Sequence, residues 1–391
     1  MRRGPALLAL TCTAACLGAA IAGCAEPPPP AGPAPGAAPL PQATGEQRLA
    51  GVCPSTIVIQ DLWDPDANQA GEYQLVGPGY TLDAARKRVS GPLVVAGLDT
   101  GVRVEVRSGG AAIGFASVPA QMYVDKSITI GSVHGDLAMA TSANQPVTAV
   151  IAPLNKSPQI LMWDPATHPN WHSIADIGAS GAKVVVAKDN YFPTYLVAKG
   201  LLEPDQIDTG YTGAPARFVT DPAIAQQGYA TSEPYIYQHE VPSWGKPVGY
   251  QLISDVGYNI YPQAMSVRTA DLGPLSGCLK RLVPVMQRAM VDYMRDPART
   301  NQLIVDAVAK YNDGWTYSIG VANYAAETLK KMSIVTNDAS GPIGGLDPVR
   351  VQATIDTFAP ILARSGAGVR PGLKASDIAT PQFLNPAIKL P

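Results

Sequence analysis

The stretch Ser55-Thr56-Ile57-Val58-Ile59 opens the part of the chain that can fold, and its surroundings set the fold class. Its β-branched residues favour a strand, Asp61-Leu62-Trp63-Asp64-Pro65 ends that strand, and residues 67–75 can form a short helix. Strand patterns then alternate with helical patterns, which predicts an α/β fold with a parallel sheet covered by helices on both faces. Further strands are predicted at 102–106, 128–130, 147–151, 159–163, 183–187, 249–253 and 264–267.

The N-terminus has the pattern of a lipoprotein signal. Arg2 and Arg3 supply positive charge, residues 6–20 are largely apolar, and Ile21-Ala22-Gly23-Cys24 is typical of the cleavage site before a lipid-modified cysteine. We predict a signal peptide at 1–23, lipidation of Cys24, and an extracytoplasmic location anchored to the lipid bilayer of the bacterial cell membrane. An ordinary secretory signal cut nearby is the alternative.

Residues 24–52 are predicted to form the lipidated Cys24 and a tether, because prolines crowd the stretch from residue 27 to residue 41. Such a composition cannot bury a core and favours an extended chain. Once the signal peptide and Cys24 are set aside, Cys53 and Cys278 are the cysteines that remain. Two thiols in an oxidising compartment are a candidate disulfide.

The composition argues for a small-molecule partner. The 391 residues carry a formal net charge of −2 with 15% charged residues, which does not indicate a nucleic-acid-binding surface. The sequence has no nucleophile elbow, no zinc-protease motif and no phosphate-binding loop. His168 and His172 have a spacing that suits metal ligands, but the prolines around them favour a loop without a third ligand. We therefore expect no catalytic residue, no metal and no cofactor.

Polar and aromatic residues follow several of the predicted strands. In open α/β sheets a ligand binds outside the carboxyl ends of the strands, so these loops form the candidate site. A Trp or Tyr ring can stack on a planar ligand, and a carboxylate can accept hydrogen bonds from ligand N–H groups. Packing or helix capping is the alternative for each residue taken singly. The candidate contacts are Trp63, Asp136, Asn155, Lys156, Ser157, Asn190, Tyr191, Glu233 and Tyr235.

Four stretches carry a resemblance to a known family. They are Val58-Ile59-Gln60 with Trp63 and Pro65, Gly109-Gly110 with Ala112-Ile113-Gly114, residues 149–159 with Lys156-Ser157-Pro158-Gln159, and Gln227-Gly228-Tyr229-Ala230-Thr231-Ser232-Glu233-Pro234-Tyr235. In this order, across residues 57–268, they resemble the substrate-binding proteins of ABC importers, in the branch that includes nitrate, sulfonate, riboflavin and thiamine-pyrimidine binders. Leu62 and Gln69 stand where pyrimidine binders have an Asp and a His. Gln69 therefore joins the predicted contacts, while pyrimidine binding is disfavoured.

The resemblance implies the two-lobed periplasmic-binding-protein fold, with a ligand cleft between the lobes, and an ABC permease as the partner that receives the ligand. Lobe one would comprise 54–155 and 250–391, and lobe two 156–249. Trp63 and Glu233 would face each other across the cleft, with Glu233 ionised at the start of a helix. Acidic candidates without an Arg cluster favour a neutral, nitrogen-rich or amine-bearing ligand. Two alternatives are an enzyme related to thiamine-pyrimidine synthase and an envelope scaffold that has lost its ligand.

Overall fold

The structure is a computed structural model that describes residues 40–391, apart from 189 and 340. The predicted signal peptide and the lipidated Cys24 lie outside the described residues. The strands are β1 (Thr56–Gln60), β2 (Thr81–Asp83), β3 (Arg88–Val95), β4 (Leu98–Arg107), β5 (Ile130–Val133), β6 (Val147–Ile151), β7 (Gln159–Trp163), β8 (Val184–Val185), β9 (Ile207–Asp208), β10 (Ala225–Tyr229), β11 (Gly249–Leu252) and β12 (Ala264–Arg268). The α-helices are α1 (Ala70–Gln74), α2 (Val118–Val124), α3 (Gly135–Ala140), α4 (Ile174–Ser180), α5 (Phe192–Ala198), α6 (Ala216–Thr220), α7 (Glu233–His239), α8 (Ser276–Arg295), α9 (Ala298–Tyr311), α10 (Ile319–Lys331), α11 (Pro348–Arg364) and α12 (Ala375–Ile378).

The strands form two sheets. The first has the order β2-β3-β4-β1-β5-β12-β6, and the second has the order β11-β7-β10-β8-β9. β1 runs parallel to β4 and β5, but β12 is antiparallel to both β5 and β6. In the second sheet β7 is antiparallel to β10 and to β11. The prediction of a parallel sheet is therefore wrong in part, because antiparallel pairs occur both beside the crossovers and in the β2-β3-β4 segment at the edge of the first sheet.

Two crossover segments connect the sheets. Residues 152–158 lead from β6 to β7, and residues 253–263 lead from β11 back to β12. The second sheet thus extends through Leu252, three residues beyond the boundary that we predicted at 249. Both crossovers are short, which keeps the carboxyl ends of the two sheets close to each other.

The segment just ahead of β1 is part of the folded unit. Ala43 and Leu49 are buried, with exposed fractions of 1% and 0%. The Ala43 amide donates to the Asp99 carbonyl at 2.7 Å, and the Leu49 amide donates to the Thr100 carbonyl at 2.9 Å. The predicted tether, 24–52, therefore extends too far, because the apolar side chains after the last proline have a surface to pack on.

A disulfide joins Cys53 to Cys278, the two cysteines that the sequence left as a candidate pair. The bond connects the chain just ahead of β1 to the first turn of α8, across 225 residues. The apolar face of α8 packs on α1 and contributes to the core beneath the first sheet. Among the helices that the structure describes, none combines the length and the apolar character needed to cross a membrane.

Candidate functional site

Acidic residues that follow two strands of the first sheet act electrostatically on Tyr229 of the second sheet. Asp66 follows β1, Asp136 follows β5, and Tyr229 ends β10 of the second sheet. Burial is the main cause that raises the pKa of Tyr229; a hydrogen bond with Gln159 opposes the rise, and the charges of Asp66, Glu233 and Asp136 add to it. Of these groups, Glu233 makes a direct contact, since its carboxylate accepts from the Tyr229 amide at 2.6 Å. The site therefore draws on both sheets.

Asp66 caps the 3-10 helix Ala67–Gln69, where its carboxylate accepts from the Asn68 amide at 2.7 Å. Burial raises the pKa of Asp66 to about 7, with hydrogen bonds from Asn68 opposing the rise and the charge of Glu233 adding to it. Tyr317, ahead of α10, accepts from the Ala67 amide at 3.0 Å. The sequence prediction missed both residues. Asp66 could have been predicted in the same way as Trp63, because both follow the predicted strand β1. Tyr317 is 250 residues from Ala67 in the sequence, so no local pattern indicates their contact.

Glu233 is the first residue of α7, and its side chain reaches the last residue of β10. Its carboxylate accepts from the Tyr229 amide at 2.6 Å, the Ser232 hydroxyl at 2.5 Å and the Tyr211 hydroxyl at 3.3 Å. Burial raises the pKa of Glu233, and these hydrogen bonds offset the rise only in part. The ionisation of Glu233 at the helix start stays a prediction, with the hydrogen bonds favouring the carboxylate and burial opposing it. A helix of seven residues has a small dipole, and desolvation of the carboxylate outweighs it.

Asp136 begins α3 and is 4% exposed. It accepts hydrogen bonds from the Tyr258 hydroxyl and, at 2.7 Å, from the Leu137 amide. Burial lowers the pKa of the neighbouring His134, and the charge of Asp136 only partly opposes this, so the neutral imidazole is favoured. The Asp136 carboxylate is therefore hydrogen-bonded within the protein.

Trp63 belongs to an aromatic cluster beside the same site. Its ring centroid lies 6.1 Å from that of Phe115 and 6.3 Å from that of Trp315. The Trp315 indole donates to the Pro65 carbonyl at 3.3 Å, which ties the cluster to the loop after β1. Phe115 is 61% exposed, so one side of the cluster faces solvent. Trp63 is thus held by aromatic packing at the edge of the site, outside the cores of the two sheets.

Three of the predicted contacts lie on the first crossover. The Asn155 and Lys156 amides donate to the Ile334 carbonyl at 2.8 and 3.4 Å. The Ser157 hydroxyl accepts from the Gln159 amide at 3.3 Å. These contacts hold the crossover against the segment that follows α10, and they give Asn155 and Ser157 a role in positioning the hinge.

The other predicted contacts are spread more widely. Asn190 donates to the Gln227 side chain at 3.1 Å, and Tyr191 immediately precedes α5. The Tyr235 ring lies 5.4 Å from the Tyr324 ring of α10, so it bridges the two lobes. Gln69 is fully buried behind the loop after β1. Around Tyr229, the structure brings together Asp136 and Glu233 from the predicted set.

Arg350 of α11 binds both crossovers, a role that the sequence analysis did not predict. Its guanidinium donates to the Asn155 carbonyl at 2.7 Å and the Asn155 side chain at 3.3 Å on the first crossover. On the second it donates to the carbonyls of Asn259 at 3.2 Å and Ile260 at 3.0 Å. The guanidinium carbon also lies 3.9 Å from the centroid of the Tyr261 ring. One side chain therefore fixes the spacing of the two connections between the lobes.

The two histidines with metal-ligand spacing make other contacts. His168 stacks on Trp171 at 3.5 Å between ring centroids, and the His172 amide donates to the Asp176 carboxylate at 2.9 Å. In the described part of the chain, no group of three or more His, Cys, Asp or Glu side chains has an arrangement that could hold a metal ion.

Two cavities in the described residues are small. One of about 30 Å³ lies between α3 and α11, and one of about 20 Å³ lies between the 67–71 segment and the first crossover. A single water molecule needs roughly 10–15 Å³ measured in this way, so each cavity can hold one or two waters. Neither of these two cavities is lined by Tyr229, Asp66 or Glu233.

No protein-family model matches this chain, and no curated protein matches it in sequence. The periplasmic aliphatic sulphonate-binding protein SsuA of Escherichia coli is similar in structure, with 13% identity over 80% of this chain and 88% of that chain and a TM-score of 0.50. A putative sulfonate-binding SsuA of Methylobacillus flagellatus KT has 13% identity over 84% and 92%, with a TM-score of 0.47. An ABC transporter protein of Parabacteroides distasonis has 9% identity over 83% and 99%, with a TM-score of 0.48. The two sheets, the two crossovers and the match to the Escherichia coli protein together show that this chain has the two-lobed α/β fold of periplasmic binding proteins.

Proposed function

We propose that this chain is the solute-binding component of an ABC importer, which captures a small molecule outside the cell and delivers it to a membrane permease. The observation that carries the proposal is the two-lobed fold, in which two sheets are joined by two crossovers and Glu233 contacts the end of β10 at 2.6 Å. Ligands of open α/β sheets bind where the carboxyl ends of strands converge, and here two sheets contribute to one such place. Closure around the ligand, rather than bond making, would be the working event.

Contacts between the lobes support this view of closure. The Ser318 hydroxyl ahead of α10 donates to the Glu240 carboxylate at the end of α7. The Tyr235 ring packs so closely on Gly320 that a side chain at that glycine would come within 2.3 Å of the Tyr235 hydroxyl oxygen. Opening the lobes breaks these contacts. A ligand that binds only the closed form therefore shifts the population by its differential affinity for that form.

The acidic character of the site supports a nitrogen-bearing ligand. The charges of Asp66, Asp136 and Glu233 all act on Tyr229, and carboxyl oxygens accept hydrogen bonds from ligand N–H groups. The candidate contacts include no Arg that could pair with an oxyanion, which disfavours sulfonate or nitrate. The ligand that we propose is neutral and nitrogen-rich, or bears an amine.

The hydrogen bonds that Glu233 and Asp136 already make within the protein favour one other function. If these contacts persist in solution, the chain acts as a lipid-anchored envelope scaffold on a binding-protein fold. Native mass spectrometry of protein purified from its own host separates the two functions. A co-purified small molecule supports the receptor. A bare mass, together with no shift in melting temperature for any metabolite pool, supports the scaffold.

Substitution of Trp63 or Glu233 should weaken binding. Trp63→Ala removes an aromatic face worth about 1 kcal/mol, and Glu233→Gln removes an acceptor for ligand N–H groups. Each change is expected to lower affinity at least about tenfold, or roughly 1.4 kcal/mol, for the molecule that co-purifies. Isothermal titration calorimetry measures the effect.

The matched controls are Trp244→Ala, in the apolar cluster of the second sheet, and Glu203→Gln, at an exposed position. Both should bind normally, although Trp244→Ala should melt at a lower temperature. Unchanged affinity in Trp63→Ala and Glu233→Gln, with lower melting temperatures, would assign these residues to packing alone.

We also propose that the protein is anchored through lipid on Cys24. The Cys24→Ala variant should move from the membrane fraction to the soluble or secreted fraction, because the acyl chains would be the anchor. Fractionation followed by immunoblotting measures the distribution, and Ser55→Ala, at an exposed position, serves as the control that keeps both the lipid and the disulfide. A Cys24→Ala protein that stays in the membrane after its signal peptide is removed would contradict the anchor.

A further inference from the structure

Residues 315–320, which lead into α10, hold the loop after β1. The Trp315 indole donates to the Pro65 carbonyl at 3.3 Å, and the Tyr317 hydroxyl accepts from the Ala67 amide at 3.0 Å. Tyr317 is 7% exposed, so the second contact is shielded from water, where a hydrogen bond is electrostatically stronger. We call residues 315–320 the clasp. It fixes the position of the loop from which the first lobe would reach a ligand.

The clasp also binds α7 of the second lobe. The Ser318 hydroxyl donates to the carboxylate of Glu240, which directly follows α7, and it accepts from the Val321 amide at 3.1 Å. The hydroxyl therefore both donates and accepts, which fixes its direction. At its other end α7 begins with Glu233, whose carboxylate accepts from the amide of the last residue of β10 at 2.6 Å. One short helix thus connects the clasp to a candidate ligand contact of the second lobe.

Gly320 of the clasp allows α7 to approach α10 closely. A Cβ atom at Gly320 would lie 2.9 Å from the Tyr235 ring carbon that carries the hydroxyl, which is closer than side chains pack. The Tyr235 ring is held on other sides, since its centroid lies 4.6 Å from that of the His239 ring and 5.4 Å from that of the Tyr324 ring. Tyr235 also packs against the core of the first lobe. A methyl group at position 320 would therefore push α7 away from α10.

We propose that Gly320 is a positioning residue, which sets the affinity of the receptor without contacting the ligand. The ring of Tyr235 occupies the space that the glycine leaves, and the clasp then holds the two candidate ligand segments at a fixed spacing. Such preorganisation lowers the cost of binding, and the apparent affinity falls in proportion to the fraction of closed molecules. The inference rests on the proposed function only in taking closure around a ligand as the working event.

The test is small-angle X-ray scattering of the chain without ligand, in the Cys24→Ala background so that no detergent is needed. Gly320→Ala should increase the radius of gyration, because the lobes separate. Gly277→Ala is the matched control, since each glycine is the second residue of a long helix. A Cβ atom at Gly277 would meet only a methyl group of Val52, at 3.8 Å. This control should scatter like the parent chain, and equal radii for Gly320→Ala and the parent would overturn the proposal.

A second substitution locates the effect at the ring. In a Tyr235→Ala background, Gly320→Ala should cause no further increase in radius, because the group that it displaces is absent. Additive increases would place the effect elsewhere and overturn the proposal. If Gly320→Ala does not fold, Glu240→Ala decides, since it removes the contact with Ser318 from an exposed position. A larger radius in Glu240→Ala supports the clasp, and an unchanged radius overturns it.

Binding of the co-purified molecule completes the test. Gly320→Ala should lower its affinity at least about tenfold, as expected when the closed fraction falls tenfold, whereas Gly277→Ala should bind normally. The two proposals fail separately. A larger radius in Gly320→Ala with no ligand found would support the clasp and remove the receptor function. A parental radius with normal binding would support the receptor and remove the clasp.

Discussion

Loss of the disulfide between Cys53 and Cys278 is expected to lower the free energy of unfolding by up to about 5 kcal/mol, among the largest effects that a single change should have here. The bond closes a loop of 225 residues, and in the chain-entropy model such a closure restricts the unfolded chain strongly. It also holds the segment ahead of β1 to α8, whose apolar face forms much of the first core. Urea unfolding with and without reductant measures the difference.

The control is the double variant Cys53→Ala, Cys278→Ala, which should unfold at the urea concentration of the reduced wild type and should not respond to reductant. Alkylation of the unfolded protein before reduction gives a second measure, since no thiol of this pair should react. Identical urea midpoints for the oxidised and reduced wild type would show that the bond does not contribute to stability.

Removal of the Arg350 side chain is expected to destabilise the protein by about 2–3 kcal/mol and to weaken ligand binding. Hydrogen bonds to a charged group contribute about 1.5–3 kcal/mol, and the contact with the Tyr261 ring adds roughly 0.5–1 kcal/mol. Because Arg350 binds both crossovers, its loss should also allow the angle between the lobes to vary more widely. Urea unfolding measures the first effect, and calorimetry with the co-purified ligand measures the second.

Arg350→Lys sharpens this test, since lysine keeps the charge but cannot present the planar fork that reaches both crossovers. It should recover only part of the stability. Arg364→Ala is the matched control, because Arg364 is exposed on the last turn of the same helix. Wild-type stability in Arg350→Ala would contradict the role of this side chain at the hinge.

The fold could be predicted where the local pattern was strong. The strands at Val147–Ile151 and Gln159–Trp163 match the predicted ranges, because each is a continuous apolar run that is buried on both sides. The β3 strand was missed although its residues alternate between buried and half-buried positions. Gly91 and Pro92 interrupt that pattern, and both residue types normally mark a turn. The pairing of β3 with β4 outweighs this local preference.

The candidate site could be predicted only in part. The sequence pointed to the loops after the strands, because strand ends are visible as local patterns, and Glu233 does contact the end of β10. It could not show that burial would raise the pKa of Glu233, or that hydrogen bonds from Tyr211 and Ser232 would partly offset that rise. Arg350 reaches Asn155 across 195 residues, and no local pattern encodes such a contact.

The packed segment ahead of β1 also determines how the protein responds to mechanical force. A pull on the chain ahead of residue 40 would first peel away the contacts of Ala43 and Leu49 with the strand pair β3–β4 and its connection. Peeling would release about a dozen residues, or roughly 40 Å of extended chain. It would then stop at Cys53, where the covalent bond passes the load to α8. The disulfide thereby protects β1, which supports the ligand loops, from tension applied through the predicted tether.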